Sequence, residues 1–226
     1  MLTKAQLLRK RRKKRKRNLL IFSSFILIMV LIVFFKRNLD FNIDIASTLG
    51  LHKTNSVEKP QITEIYLTPN EYSRPQTPLR KVNSIVIHYT ANPGTGALAN
   101  RNYFDNLKDT KTTYASSHFI IGLDGEIVQC LPLDEVSFAS NNRNEDTISI
   151  ECTHPDATGE FNKETLDSLI ALTSWLCGEF NLKKEDIIRH YDVTGKKCPL
   201  YYVEHEDEWE LLKSDIMEYI DLHKID

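Results

Sequence analysis

An imidazole and a thiol stand a short loop apart in His190-Tyr-Asp-Val-Thr-Gly-Lys-Lys-Cys-Pro199, with Lys196 two positions before the thiol. Nitrogen and sulfur donors suit a borderline-soft ion such as zinc, but a catalytic zinc usually takes three protein ligands and keeps a fourth position open. The third donor must come from elsewhere. His88 is the candidate, because it closes the β-branched run Asn83-Ser-Ile-Val-Ile-His88 and a strand there would deliver its side chain to the rim of a sheet. Glu151 ends a second apolar strand, Ile148-Ser-Ile-Glu151. A carboxylate in that position costs desolvation energy unless it has a partner or a task, and beside an activated water it could serve as general base. Lys196 could stabilise negative charge as it develops on a carbonyl oxygen. Each residue alone has a plainer reading: a satisfied core or rim histidine for His88, a buried structural thiol for Cys198, a surface carboxylate for Glu151, a solvated loop lysine for Lys196. Jointly they supply what a metal hydrolase needs.

The elements that must position these residues can be read from periodicity. Asn83 to His88 reads as a strand, Ala97 to Lys108 as a helix, and Ser117 to Ile121 with Glu126 to Cys130 as a hairpin turning at Asp124-Gly125. Thr147 to Glu151 is a further strand. Asn162 predicts a helix start, after which Leu166, Leu169, Ile170, Leu176 and Phe180 keep helical spacing. Ile187 to His190 reads as extended, and Trp209, Leu212, Ile216 and Ile220 mark a closing helix. Interleaved strands and helices predict an α/β fold, a mixed central sheet flanked by helices. His88 and His190 would then end two strands, with Cys198 in the loop that follows.

Four ordered segments carry a resemblance: His88 after its aliphatic strand, Ala115-Ser-Ser-His118 through Gly125 and Gln129, Thr147-Ile-Ser-Ile-Glu151, and His190-x-Asp192 through Lys196-x-Cys198-Pro199. Over roughly residues 83–220 the chain resembles the zinc-dependent N-acetylmuramoyl-L-alanine amidases of the type 2 family, which includes phage lysozyme-type amidases and peptidoglycan-recognition proteins. The resemblance implies a five- or six-stranded mixed sheet and hydrolysis of the amide between the lactyl group of N-acetylmuramic acid and L-alanine of the stem peptide. It implies His88, His190 and Cys198 as zinc ligands, Glu151 as catalytic carboxylate and Lys196 as its cationic partner, with His118 near the site or facing substrate. Two positions depart from the pattern. Ser117 stands where many members have a catalytic tyrosine, so Glu151 would be the sole base, and Leu200 stands where a glycine usually follows Cys-Pro.

The chain also carries a front segment outside this resemblance. Residues 9–17 are all Lys or Arg, and 19–35 are apolar apart from Ser23 and Ser24. At about 1.5 Å per residue such a helix is roughly 25 Å long, within the range that spans a bilayer. Basic residues ahead of the span predict a cytoplasmic segment 1–18, a transmembrane signal-anchor 19–35 and an outward-facing remainder. A cleaved signal peptide is the rival, but Phe34, Phe35 and Lys36 stand where a small-x-small cleavage site would. Residues 36–80, with Pro60, Pro69, Pro75 and Pro78, read as a stalk with a short segment at 62–67, leaving 81–226 as the catalytic domain. The first 37 residues hold 12 of the 29 Lys+Arg and none of the 31 Asp+Glu, so the rest carries a formal charge of about −14. That excludes nucleic-acid binding through a phosphate-neutralising surface. With Cys198 as ligand, Cys130, Cys152 and Cys177 are an odd set, so no disulfide framework is expected. The expected partners are peptidoglycan or muropeptide and the membrane, with the chain a monomer. Two other function classes stay open: a non-catalytic muropeptide-binding module, and a cysteine hydrolase built on Cys198 and His190.

Overall fold

The structure, a computed structural model, describes residues 56–225. The basic run, the apolar segment 19–35 and the first part of the expected stalk lie outside the described residues. Among the described residues, no helix is long and apolar enough to cross a membrane.

The strands are β1 (Thr63–Glu64), β2 (Ser84–Tyr89), β3 (Phe119–Ile121), β4 (Ile127–Gln129), β5 (Thr147–Cys152) and β6 (Ile187–Arg189). Their order across the sheet is β1-β4-β3-β5-β2-β6. β3, β5, β2 and β6 run parallel, while β4 is antiparallel to β3 and parallel to β1. The helices are α1 (Ala97–Thr110), α2 (Lys163–Phe180), the five-residue α3 (His190–Thr194) and α4 (Leu200–Glu204), and α5 (Glu206–His223). The mixed α/β sheet expected from the sequence is present, with its hairpin intact: Gly125 takes a positive φ of 79° at the turn, where a Cβ would lie 2.9 Å from the Glu164 carbonyl oxygen.

Alternation along β2 and β5 separates two chemistries. Ile85, Ile87, Ile148, Ile150 and Cys152 face one way, into a core shared with Leu169, Leu172 and Leu176 of α2 and Ile216 and Ile220 of α5. Each fully buried aliphatic side chain there contributes about 2 kcal/mol of transfer free energy. α2 starts where expected, since the Asn162 side chain accepts a hydrogen bond from Thr165 N–H, and it stops at Asn181 in the left-handed conformation. On the opposite face, His88 and Glu151 are register partners on adjacent strands. Glu151 is also the register partner of Ile120, which belongs to a second, smaller core with Leu67, Phe104, Leu107, Val128 and Leu131 under α1.

The stalk reading of 36–80 needs correction over its second part. Residues 56–80 pack onto the domain: Val57, Leu67 and Leu79 are buried, β1 joins the sheet edge, and Arg74 makes a bidentate pair with Glu135 at 2.8 Å. Prolines there leave the chain without helical or strand periodicity, and single residues reach inward from an extended path instead. Ile225 N–H donates to Ser56 O at 2.9 Å, so the two ends of the described chain meet. All four cysteines are free and buried, with Cys152 and Cys177 in the main core.

Candidate metal centre

His88 is the penultimate residue of β2, and β6 leads directly into α3, whose first residue is His190. His190 therefore begins a helical turn rather than ending a strand. Asp192 holds that turn by accepting a hydrogen bond from Arg189 N–H at 2.8 Å and pairing with the Arg189 guanidinium at 2.9 Å, which accounts for the His-x-Asp spacing. Gly195, at φ 77°, ends α3 in a left-handed turn that Tyr191 closes by donating its N–H to Cys198 O at 2.9 Å. The chain thus doubles back, and Cys198 returns to His190.

His88, His190 and Cys198 converge, each offering a ligand atom within 4.8 Å of the others, and all three are buried. Cys198 Sγ lies 3.8 Å from His88 Nδ1. With Zn–S near 2.3 Å and Zn–N near 2.05 Å at a tetrahedral angle, that separation would be about 3.6 Å. Burial, helped by the nearby Lys196 charge, lowers the pKa of both imidazoles, with His88 held well below its ordinary value. Both rings are therefore neutral at pH 7 and keep a lone pair for a metal. Burial, reinforced by the Glu151 charge, pushes the Cys198 thiol up to about 12. A buried thiol held protonated is a poor nucleophile, whereas a dication would favour its thiolate. The donor set and spacing fit a zinc ion.

Glu151 stands beside His88 across the β2–β5 pair. Its Oε2 is buried and has no hydrogen-bond partner among the described residues. Burial pushes its carboxyl up to about 8, against the opposing pull of Lys196. Lys196 itself is exposed, on the loop between Gly195 and Cys198, and its charge acts on Glu151, His88, His190 and Cys198 together. The five residues singled out from the sequence are thus brought to one place.

His118 is not among them. It is fully buried: Nδ1 accepts from Ser149 N–H at 3.1 Å, so Nε2 carries the proton and donates to Glu135 O at 2.9 Å. The ring stitches β3, β5 and the loop after β4 together, and burial pulls its pKa down to about 4. Full burial overturns the expectation that it faces substrate, and its hydrogen bonds give it a structural role. Ser117 is also fully buried, donating to Ser149 O at 3.0 Å. Leu200 opens α4 and is accommodated by Gly159, at φ 77°, where a Cβ would come within 3.2 Å of the Leu200 Cβ and 3.3 Å of the Tyr89 ring.

Two residues that the sequence reading passed over touch the donor imidazoles. Ser140 Oγ lies 3.4 Å from His88 Nε2, and Asn141 Oδ1 lies 2.9 Å from His190 Nε2. The only sequence signal was the turn-forming run Ser140-Asn-Asn-Arg-Asn144.

Residues 78–200 match the family model described as N-acetylmuramoyl-L-alanine amidase. N-acetylmuramoyl-L-alanine amidase BlyA of Bacillus subtilis (strain 168) is 33% identical over 169 residues, covering 65% of this chain and 44% of the relative. N-acetylmuramoyl-L-alanine amidase CwlL of Bacillus licheniformis is 34% identical over 157 residues, covering 63% of this chain and 43% of the relative. This chain therefore spans less than half the length of these curated relatives. Among solved structures, the catalytic domain of XlyA superposes with a TM-score of 0.58 at 27% identity, over 70% of this chain and 99% of that one. PlyL, at 21% identity and a TM-score of 0.60 over 70% of this chain and 97% of its own, shares the fold.

Proposed function

The chain belongs to the N-acetylmuramoyl-L-alanine amidase family, and from that premise we propose that it hydrolyses the amide joining the lactyl group of N-acetylmuramic acid to L-alanine of the peptidoglycan stem peptide. The observation that carries the reading is the convergence of His88, His190 and Cys198 beside Glu151. A zinc ion held by His88 Nδ1, His190 and Cys198 Sγ would polarise the scissile carbonyl and make water acidic enough to attack near neutral pH. Glu151 takes the proton from the attacking water. A carboxyl near pH 8 in the protein alone is a capable base once ionised and a capable acid once protonated, so the same group can return that proton to the departing L-alanine nitrogen. Lys196 stabilises the oxyanion through its charge. The products are the free lactyl carboxylate and a peptide with a new amino terminus.

The membrane placement is part of the proposal and rests on sequence: the basic residues 9–17 ahead of the apolar segment 19–35 support a single-pass anchor with the catalytic domain outside, where an intact wall would lie. We propose further that it acts as a monomer.

The test is release of stem peptides from purified peptidoglycan by the full-length chain, beside Glu151→Ala and Cys198→Ser, with bound zinc measured in each. Hydrolysis by the wild type, lost in both variants, with zinc lost only in Cys198→Ser, is the expected result. Muropeptide binding with neither zinc nor hydrolysis would instead identify a binding module. Activity that survives chelation but not thiol alkylation would favour a cysteine hydrolase.

A further inference from the structure

We propose that the Ser140–Asn141 loop is a clamp that fixes the tautomer and orientation of both histidine ligands, and thereby sets the affinity of the site for zinc. The inference rests on the reading of His88, His190 and Cys198 as metal ligands. An imidazole that ligates through Nδ1 must carry its proton on Nε2, and in a buried site that N–H needs an acceptor. His88 Nδ1 is the atom facing Cys198 Sγ, which leaves Nε2 to Ser140 Oγ at 3.4 Å. His190 Nε2 is taken by Asn141 Oδ1 at 2.9 Å, which leaves Nδ1 for a metal.

One loop serves two ligands because its backbone changes hand between the two residues. Ser140 lies at φ −118°, whereas Asn141 lies at φ 52°, in the left-handed region that Asn and Gly tolerate better than other residues. The turn is pinned from within, since Asn144 Oδ1 accepts hydrogen bonds from Ala139 N–H at 3.1 Å and Ser140 N–H at 2.6 Å. It is also tied to the strand that carries His88. The Arg143 guanidinium donates to Ser84 Oγ at 3.0 Å and pairs with Asp146, and Asn83 donates to the same carboxylate at 2.9 Å. The start of β2 therefore anchors the loop that receives the histidine near its other end.

The test uses the full-length chain and zinc ion alone. Zinc affinity is measured by competition with a chromogenic chelator, and the metal-free protein is followed by urea unfolding. Asn141→Gly removes the acceptor and keeps the backbone conformation, so it should weaken zinc binding about 10- to 100-fold while the unfolding midpoint of the metal-free protein changes little. Asn141→Asp keeps both the acceptor and the tolerance for positive φ, and should bind zinc at least as tightly as wild type. Ser140→Ala, which removes the longer contact, should weaken binding by a smaller factor. With cobalt(II) in place of zinc, the Asn141→Gly site should show altered visible absorption bands, which a change confined to fold stability would not produce. Unchanged zinc affinity in Asn141→Gly would overturn the clamp while leaving the ligand reading intact, as would an Asp variant that folds but binds as weakly as Gly. A wild type that binds no zinc would overturn both.

Discussion

Replacing Glu151 by Gln should strengthen the metal-free fold at alkaline pH and abolish most of the activity. Oε2 of Glu151 is buried without a partner among the described residues, and burial lifts the carboxyl from its ordinary 4.5 to about 8. The sign follows from which state holds the proton more tightly. Below about pH 4.5 both folded and unfolded chains are protonated, and the carboxyl costs nothing beyond a neutral group. Between 4.5 and about 8 the unfolded chain releases a proton that the folded chain retains, so stability falls as pH rises, and above about 8 the fold carries the bare charge at full cost. That gap corresponds to about 5 kcal/mol at about 1.4 kcal/mol per unit. Glu151 is partly enclosed rather than sealed, and water at the mouth of the site relieves part of the cost, so a gain of about 2–4 kcal/mol at pH 9 is expected for Gln. Urea unfolding of wild type and variant in chelator at pH 5, 7 and 9 measures this directly. Taking the difference at each pH cancels most of the contribution from His88, His190 and Cys198, which titrate in both proteins. The curves should converge at pH 5 and separate by pH 9; curves that stay parallel would refute the account of Glu151 as a desolvated carboxyl. Loss of the proposed base should meanwhile cost about 10²- to 10⁴-fold in turnover.

Three further outcomes are expected. Lys196→Ala should lower turnover on peptidoglycan about 10²- to 10³-fold through loss of the proposed oxyanion stabilisation, with little change in unfolding midpoint because the side chain is exposed. His118→Ala leaves Ser149 N–H and Glu135 O unpaired in the interior and should destabilise the protein by about 2–4 kcal/mol in urea unfolding, without changing zinc affinity. Leu67→Ala opens a void in the smaller core and should cost about 2–4 kcal/mol, although the residue falls in a stretch whose sequence reads as linker.

The strands and long helices were legible because their apolar residues repeat at periods of two or 3.6 over buried faces, as in Ile85 and Ile87 or Leu169, Leu172 and Leu176. The donor residues were legible for a different reason: His190, Lys196 and Cys198 are close in sequence, and His88 and Glu151 each end an apolar strand. What escaped was everything held by irregular backbone. Residues 56–80 bury Val57, Leu67 and Leu79 at intervals that match no regular element, and Arg74 finds Glu135 only through the tertiary fold. Ser140 and Asn141 touch the histidines from a turn whose conformation depends on Asn144 and on Asp146 at the loop base. His118 sits in a motif that suggested chemistry, yet its partners are a strand amide and a loop carbonyl, neither of which a sequence displays.

Because Ser56 and Ile225 are hydrogen-bonded neighbours, the domain has one doorway rather than two. Residues 56 and 225 share one corner of the described domain. A module of this kind can be spliced into the loop of a host protein as readily as it can be carried at an end.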